Sequence, residues 1–155
     1  MYWGEFETYA AISDDLINWA PVLDDNNELK VIAKVRKGYF DSDLVECGPP
    51  AILTDKGIVL IYNGKNSTDP EKGDSRYPMG TYAAGQLLID KDDPYMVLDR
   101  LDKPFFFPEA NFEKSGQYVD GTVFTEGLVL YKGKYYMYYG CADSQVAVAI
   151  YDPKS

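Results

Sequence analysis

The feature that most constrains the fold of this chain is a repeated pattern in which an aromatic-rich segment leads directly into a glycine. The pattern occurs at residues 2–4, 61–64 and 138–140. The tetrapeptide Thr-Tyr-Ala-Ala also occurs twice, at residues 8–11 and 81–84, each time after one of these glycines. Aromatic residues are enriched in β-strands, and a recurring strand unit indicates a repeat architecture. The sequence therefore predicts an all-β chain built from similar units.

The length of the chain limits how many units it can hold. It has 155 residues, whereas β-propellers close with about four to eight blades. The glycines lie farther apart than the roughly 40–50-residue repeat of common propellers, so long loops must be inserted. We expect two to three blades of a larger propeller, forming one partial domain over residues 1–155 and cut within a blade at Met1. Sheet edges left open in this way tend to pair with another chain, which is a route to homo-oligomers.

Composition excludes several classes of function. The net charge of −10 repels phosphate backbones and argues against nucleic-acid binding. The absence of histidine excludes the usual zinc sites, serine triads and histidine acid–base chemistry from this segment, so no metal or cofactor is expected. Cys47 and Cys141 are too few for a disulfide framework and are interpreted as packing residues. No apolar run approaches about 20 residues, so no transmembrane helix and no membrane partner are predicted.

The positions of individual strands and turns can also be predicted from the sequence. A polar turn closed by an aromatic residue is predicted at residues 13–19. Glycine-containing turns within β-hairpins are predicted at residues 55–57 and 132–134. No segment has a sustained 3.6-residue apolar period, so almost no helix is expected. Strands are predicted at residues 1–12 (the end of one strand and a second strand), 29–35, 51–54, 58–62, 81–89, 95–98, 128–131, 135–139 and 146–150.

Several ordered motifs together carry a family resemblance. They are Val-Glu-Cys-Gly-Pro-Pro at residues 45–50, Thr-Tyr-Ala-Ala-Gly-Gln-Leu-Leu-Ile-Asp at 81–90, the Pro-Glu and Phe-Glu pairs at 108–109 and 112–113, and Tyr-Tyr-Gly-Cys-Ala-Asp at 138–143. In their order and spacing the chain resembles the C-terminal half of glycoside hydrolase family 130, over residues 1–153. The resemblance implies a five-bladed β-propeller that acts on β-mannosides with inversion, by hydrolysis or by phosphorolysis. It also implies that the general acid, an aspartate, lies in the absent N-terminal half, so the fragment alone is expected to be inactive.

The resemblance implies roles for two residues of these motifs. Asp143 corresponds to a charged acceptor for hydroxyls of the mannosyl ring, although an aspartate after a glycine is also a common turn former. Tyr82 corresponds to a tyrosine beside the site of the nucleophile. Its repeat partner Tyr9 leaves open the alternative that this tyrosine packs within the blade. If the hypothesis is right, Glu46, Tyr82 and Asp143 must face one cavity.

Glu46 is the candidate catalytic residue. It precedes the rigid Gly-Pro-Pro segment at 48–50, which would present its carboxylate from a fixed loop, and an ionised carboxylate activates water in an inverting hydrolase. In a phosphorylase, inorganic phosphate is the co-substrate and requires cations nearby, whereas Glu46 would repel it. This favours hydrolysis, while Lys65, Arg76 and Arg100 keep phosphorolysis open. A surface charge is the alternative for Glu46.

Glu109 and Glu113 lie close in sequence to the apolar run at residues 105–107, which could anchor their loop. Burial beside phenylalanines would raise the pKa of a carboxyl group, and this makes Glu109 a substrate-binding candidate. A carboxylate that holds backbone amides is the equal alternative. Two other functions also stay open: another five-bladed propeller that cleaves arabinan or fructan, and a non-catalytic propeller that binds a mannose-containing oligosaccharide.

Overall fold

Three separate antiparallel sheets form the computed structural model of this chain, which describes residues 1–154. In the first sheet, the central strand β2 pairs with each of the other three. The strands of this sheet are β1 (Tyr2–Trp3), β2 (Glu7–Ile12), β3 (Ala20–Pro21) and β4 (Ala33–Lys34). The helical content of the described residues is one 3₁₀ turn at Asn111–Glu113, so the all-β prediction is confirmed. No helix within residues 1–154 is long and apolar enough to cross a membrane.

The second and third sheets are longer and more regular. The second sheet has the order β5-β7-β8-β9, with β6 beside β7, and the third has the order β10-β11-β12. The second sheet comprises β5 (Leu44–Cys47), β6 (Ile52–Thr54), β7 (Gly57–Lys65), β8 (Tyr82–Ile89) and β9 (Val97–Arg100). The third comprises β10 (Val123–Tyr131), β11 (Lys134–Cys141) and β12 (Gln145–Tyr151).

Local turn chemistry explains both predicted hairpins. In the turn between β10 and β11, Lys132 and Gly133 have positive φ angles of 48° and 79°, as the type I′ turn of a two-residue hairpin requires. Between β6 and β7 the turn is Asp55-Lys56, and Gly57 is already the first residue of β7. Glycine is needed there because a Cβ would lie 2.5 Å from the carbonyl oxygen of Ile89 on β8. The hairpins are confirmed, but Gly57 serves a close approach between strands.

The predicted strand at residues 29–35 is wrong over most of its length. The Lys30 N–H donates to the carbonyl of Val22 at 2.9 Å, whereas the Ile32 N–H donates to the carbonyl of Thr8 at 2.7 Å. The segment therefore changes its pairing partner midway, and only Ala33–Lys34 is a strand. The strand predicted at 95–98 is displaced to Val97–Arg100 because the preceding residues form an aspartate-stabilised turn.

A buried carboxylate ties the first and second sheets together. Asp41 is 0% exposed and accepts hydrogen bonds from Arg100 Nη2 at 2.6 Å, the Tyr62 hydroxyl at 2.7 Å and Arg36 Nη2 at 3.0 Å. We call these four residues the Asp41 cluster. One hydrophobic core cluster contains side chains of both sheets and of the loop between them, among them Ala10, Phe40, Val45, Leu60, Leu87 and Ile89. The Asp41 cluster joins strands β7 and β9 to the loop before β5. Arg100 Nη1 also donates to the carbonyl of Lys34 on β4 at 2.7 Å, so the Asp41 cluster connects the first two sheets.

A side-chain amide connects the second sheet to the third. The Oδ1 atom of Asn63 accepts hydrogen bonds from the Thr125 N–H at 2.7 Å and from the Thr125 hydroxyl at 2.8 Å. The Nδ2 group of Asn63 donates to the Thr125 carbonyl at 3.1 Å. Asn63 lies opposite Glu46 in the strand register, so the connection also sets the distance between β5 and β10. Asn63 and Thr125 are both fully buried, which makes their hydrogen bonds a rigid link between the two sheets.

Both cysteines within the described residues are free, and their surroundings fit packing positions. Burial raises the pKa of the Cys47 thiol to about 11. Cys141 is fully buried in the third sheet, and burial raises its pKa as well. Both side chains are therefore neutral thiols at physiological pH.

Substituting Gly85 with alanine is expected to lower the free energy of unfolding by about 1–3 kcal/mol. A Cβ at this position on β8 would lie 2.3 Å from Cζ of Tyr62, whose ring is fully buried and held by its bond to Asp41. Urea denaturation followed by circular dichroism measures the change. Gly140→Ala on β11 is the control, because its Cβ would meet the nearest atom at 3.9 Å. Equal denaturation midpoints for the two variants would contradict the expectation.

Candidate active site

A polar cavity of about 220 Å³ lies where the three sheets converge. It is lined by Glu5, Leu44, Glu46, Tyr82, Tyr118, Thr122, Phe124, Glu126 and Asp143. The structure thus places Glu46, Tyr82 and Asp143 on the walls of one cavity, although they belong to different elements. Glu109 does not line this cavity.

Glu46 lies on strand β5, and the Gly-Pro-Pro segment follows one residue later. The loop position expected from the sequence is therefore corrected: pairing with Asn63 in the strand register holds the backbone of Glu46. The side chain is half-buried. Burial raises its pKa, and the negative charges of Glu5 and Glu126 raise it further. A carboxylate with a raised pKa is a stronger base than a fully solvated one, and this suits proton abstraction from a bound molecule.

Two carboxylates that the sequence motifs do not indicate line the cavity together with Glu46. Glu5 lies in the turn between β1 and β2, and its carbonyl accepts a hydrogen bond from the Val45 N–H at 3.1 Å. Its signal in the sequence was its position directly after Gly4, the first of the repeated glycines. Glu126 lies on β10 just before Gly127, and a glycine inside a strand pattern is a signal for a local irregularity. Together with Glu46 and Asp143 they make the cavity strongly acidic.

Tyr82 is the first residue of β8 and forms an aromatic wall of the cavity. Its ring lies edge-on to Tyr118 at 5.8 Å and to Phe124 at 5.9 Å between centroids. Burial raises the pKa of the phenol, so it is a hydrogen-bond donor over the physiological range. Tyr9, its repeat partner, instead donates to Oε2 of Glu7 at 2.7 Å and does not line the cavity. The two copies of the tetrapeptide therefore serve different surroundings.

Asp143 is part of the turn between β11 and β12. Ala142 and Asp143 both have left-handed φ angles, 47° and 53°, a conformation that is unfavourable for alanine and that aspartate tolerates better. The conformation is held because the carbonyl of the buried Ala142 accepts hydrogen bonds from the Gln117 N–H at 2.9 Å and from the Ser144 hydroxyl at 3.2 Å. Strained residues held by their surroundings are common at binding sites. Asp143 is thus a turn residue and a cavity residue at once.

Glu113, rather than Glu109, holds the backbone of the loop before the third sheet. Its Oε2 atom accepts hydrogen bonds from the N–H groups of Glu109 at 2.7 Å and Ala110 at 2.8 Å. Its Oε1 atom accepts one from the Tyr139 hydroxyl at 2.8 Å. Glu113 is 4% exposed, whereas Glu109 is exposed. Burial raises the pKa of the Tyr139 hydroxyl, and its hydrogen bond to the Glu113 carboxylate raises it further.

The three candidate cations have very different surroundings. Arg100 is bound to Asp41 within the Asp41 cluster, and Arg76 is paired with Asp74 at 2.6 Å beside a different cavity. Lys65 lies next to the site, with its Nζ 5.4 Å from the centroid of the Tyr82 ring, but it is paired with Asp43 at 3.2 Å. Within residues 1–154 no group of three or more metal-ligating side chains is arranged to hold a metal ion.

Comparison with known proteins identifies the family. The sequence profile of glycoside hydrolase family 130, described as beta-1,4-mannooligosaccharide phosphorylase, matches residues 1–154. A solved glycosyl hydrolase from Bacteroides ovatus is 60% identical with a TM-score of 0.95, and the match covers 99% of this chain and 42% of that chain.

Two further relatives carry more specific descriptions. One solved structure, described with the words "The GH130 family of mannoside phosphorylases contains glycoside hydrolases that target beta-1,2 mannosidic linkages in Candida mannan", is 59% identical with a TM-score of 0.95, covering 99% of this chain and 42% of that chain. The 1,2-beta-oligomannan phosphorylase of Thermoanaerobacter sp. (strain X514) is 32% identical over 148 residues, 96% of this chain and 44% of the relative. The chain spans less than half the length of these relatives. It belongs to glycoside hydrolase family 130.

Proposed function

We propose that this chain is the C-terminal part of a five-bladed β-propeller that hydrolyses β-mannosides with inversion at the anomeric carbon. The observation that carries the proposal is the position of Glu46, half-buried in the cavity between Glu5 and Glu126. A base in these surroundings can activate a neutral water molecule. In an inverting hydrolase this water attacks from the face of the sugar ring opposite the leaving group.

The charges of the cavity favour water over phosphate as the attacking group. Four carboxylates line the cavity, those of Glu5, Glu46, Glu126 and Asp143, and each repels an anion. Binding of phosphate requires compensating cations, normally arginine or lysine. Lys65, which lies beside the ring of Tyr82, is already paired with Asp43. Two solved relatives at about 60% identity have descriptions that name hydrolases, and this supports the preference.

The remaining residues of the cavity have roles in holding the sugar. The phenol of Tyr82 donates a hydrogen bond to an oxygen near the reacting carbon. Asp143 accepts hydrogen bonds from hydroxyl groups of the mannosyl ring, and its turn holds the backbone that carries the carboxylate. Glu109 has no role in this proposal because it lies outside the cavity. The general acid comes from outside these residues, so the chain alone binds sugar without turnover.

Phosphorolysis is the second candidate function. It is favoured by the names of the curated relatives, which are phosphorylases of β-1,2-linked oligomannan and mannobiose at 32% identity. Lys65 is the residue of this chain that would serve it, because it lies beside the ring of Tyr82. Inorganic phosphate would then be the co-substrate.

Incubation of the complete propeller with β-1,2- or β-1,4-mannobiose is expected to release free mannose at a rate independent of inorganic phosphate. The reason is that water needs no cation in the cavity, whereas phosphate does. Ion chromatography of the products, with and without phosphate, measures the outcome. Formation of mannose 1-phosphate would establish phosphorolysis instead. Binding of mannobiose without turnover would favour a non-catalytic carbohydrate-binding propeller.

A further inference from the structure

Glu126 occupies an irregular position in the third sheet. In the register of β10 and β11, Thr125 lies opposite Tyr139 and Gly127 lies opposite Tyr138, so Glu126 is an extra residue without a partner. Such a β-bulge changes the direction of a side chain and is common next to active sites. In this chain it brings the carboxylate of Glu126 to the wall of the candidate active site.

The surroundings of Glu126 leave its carboxylate free for a ligand. The residue is exposed, and its charge acts on Glu46, whose carboxylate lines the same cavity from β5. Glu5 and Asp143 add negative charge, while Tyr82 is a neutral phenol. An anionic ligand would be repelled here, whereas a neutral ligand rich in hydroxyl groups would not.

A second, independent feature of the same wall is the hydroxyl of Thr122. Thr122 is 3% exposed and lines the cavity. Among residues 1–154, its Oγ1 is the one buried side-chain oxygen or nitrogen that lacks a hydrogen-bond partner. The backbone around it is fixed, because its N–H donates to the Glu113 carbonyl at 2.8 Å and its carbonyl accepts from the Ala142 N–H at 3.3 Å. A buried hydroxyl without a partner costs free energy, so its retention on a cavity wall points to a ligand.

We propose that Glu126 and Thr122 form a second sugar-binding pair, which recognises hydroxyl groups of the bound saccharide from the side of the third sheet. The inference rests on the proposed function and adds two residues to its site. A carboxylate only accepts hydrogen bonds, whereas a threonine hydroxyl both donates and accepts. Sugar hydroxyl groups also donate and accept. Glu126 can therefore accept a hydrogen bond from one sugar hydroxyl, while Thr122 donates a hydrogen bond to another or accepts one from it.

Titration of the chain with β-1,2-mannobiose by isothermal calorimetry tests Glu126. Glu126→Gln keeps the shape but removes the charge, and it is expected to weaken binding by roughly 10-fold or more, as for other hydrogen bonds to charged groups. Glu28→Gln is the matched control, since it makes the same charge change at an exposed residue that does not line the cavity. Its affinity is expected to equal that of the unsubstituted chain.

Thr122→Val tests the hydroxyl with almost no change of volume. The variant is expected to bind mannobiose several-fold more weakly and to melt about 2–4 °C higher, because it removes a buried hydroxyl without a partner. A hydroxyl with a purely structural role would not combine a loss of binding with a gain of stability.

The outcomes separate this inference from the proposed function. If Glu126→Gln and Thr122→Val bind mannobiose as tightly as the unsubstituted chain while Asp143→Asn binds weakly, the second sugar-binding pair is overturned and the proposed function stands. An equal loss in Glu28→Gln would show a general charge effect and overturns the pair as well. No binding of mannobiose by the unsubstituted chain overturns both.

Discussion

Replacing Glu46 with glutamine is expected to lower kcat for mannoside hydrolysis by about 10²–10⁴-fold in the complete propeller. Glutamine keeps the size of the side chain but cannot take the proton of the attacking water. Because Glu46 acts on water rather than on the sugar, KM is expected to change little. Initial rates of mannose release over a range of mannobiose concentrations measure both constants. A variant that retains full kcat would show that Glu46 is not the base.

The pH dependence of the unsubstituted enzyme gives a second readout of the same residue. Burial raises the pKa of Glu46, and Glu5 and Glu126 raise it further. A base works only when it is deprotonated, so activity is expected to fall, as the pH drops, at a higher pH than an ordinary glutamate would give. Glu5→Gln removes one like charge and is expected to move this acid limb to lower pH. Glu28→Gln is the control and is expected to leave the profile unchanged.

Replacing Asp41 with asparagine is expected to have the largest effect on stability, a loss of about 3–5 kcal/mol in the free energy of unfolding. The carboxylate is fully buried and neutralises the guanidinium groups of Arg36 and Arg100. Asparagine would leave these charges without their shared anion, and uncompensated buried charges are costly. Single domains are typically stable by about 5–15 kcal/mol, so much of the stability would be lost. Urea denaturation followed by tryptophan fluorescence measures the loss.

An exposed ion pair provides the control for Asp41. Lys72 lies 3.5 Å from Asp69 on the surface, and Lys72→Gln is expected to change the free energy of unfolding by less than about 1 kcal/mol. If Asp41→Asn unfolded at the same urea concentration as Lys72→Gln, the Asp41 cluster would not be the link that joins the first two sheets.

Local signals in the sequence predicted the hairpins well. Those around residues 55–57 and 132–134 are set by turn residues and by apolar strands on either side, which act over short distances. The failure at residues 29–35 has a different origin. There the backbone of Lys30 pairs with Val22 and that of Ile32 pairs with Thr8, and nothing within the segment itself records this change of partner. Pairing decided by distant residues is not visible in a local pattern.

The same distinction explains which cavity residues could be predicted. Glu46, Tyr82 and Asp143 stand in recognisable motifs, and these motifs led to them. Glu5 and Glu126 are marked in the sequence only by a neighbouring glycine. Their convergence could not be predicted, because it depends on how the sheets dock and on a β-bulge.

The burial of Glu113 rather than Glu109 has a local cause. A 3₁₀ turn at Asn111–Glu113 carries the carboxylate of Glu113 back to the amide of Glu109. The apolar run at 105–107 indicated that a carboxylate would be buried near it. The apolar run could not indicate whether Glu109 or Glu113 would be buried, since this depends on the 3₁₀ turn.

All three sheets contribute walls to the cavity, so a saccharide can be recognised only when the three sheets are folded and docked together. Glu5 and Asp143 lie near opposite ends of the sequence, and bringing such distant segments together costs loop-closure entropy. Partial unfolding of the third sheet alone would abolish affinity while the first two sheets remained native. A saccharide that binds only when all three sheets are docked would protect the third sheet from local unfolding, since a ligand stabilises the state to which it binds.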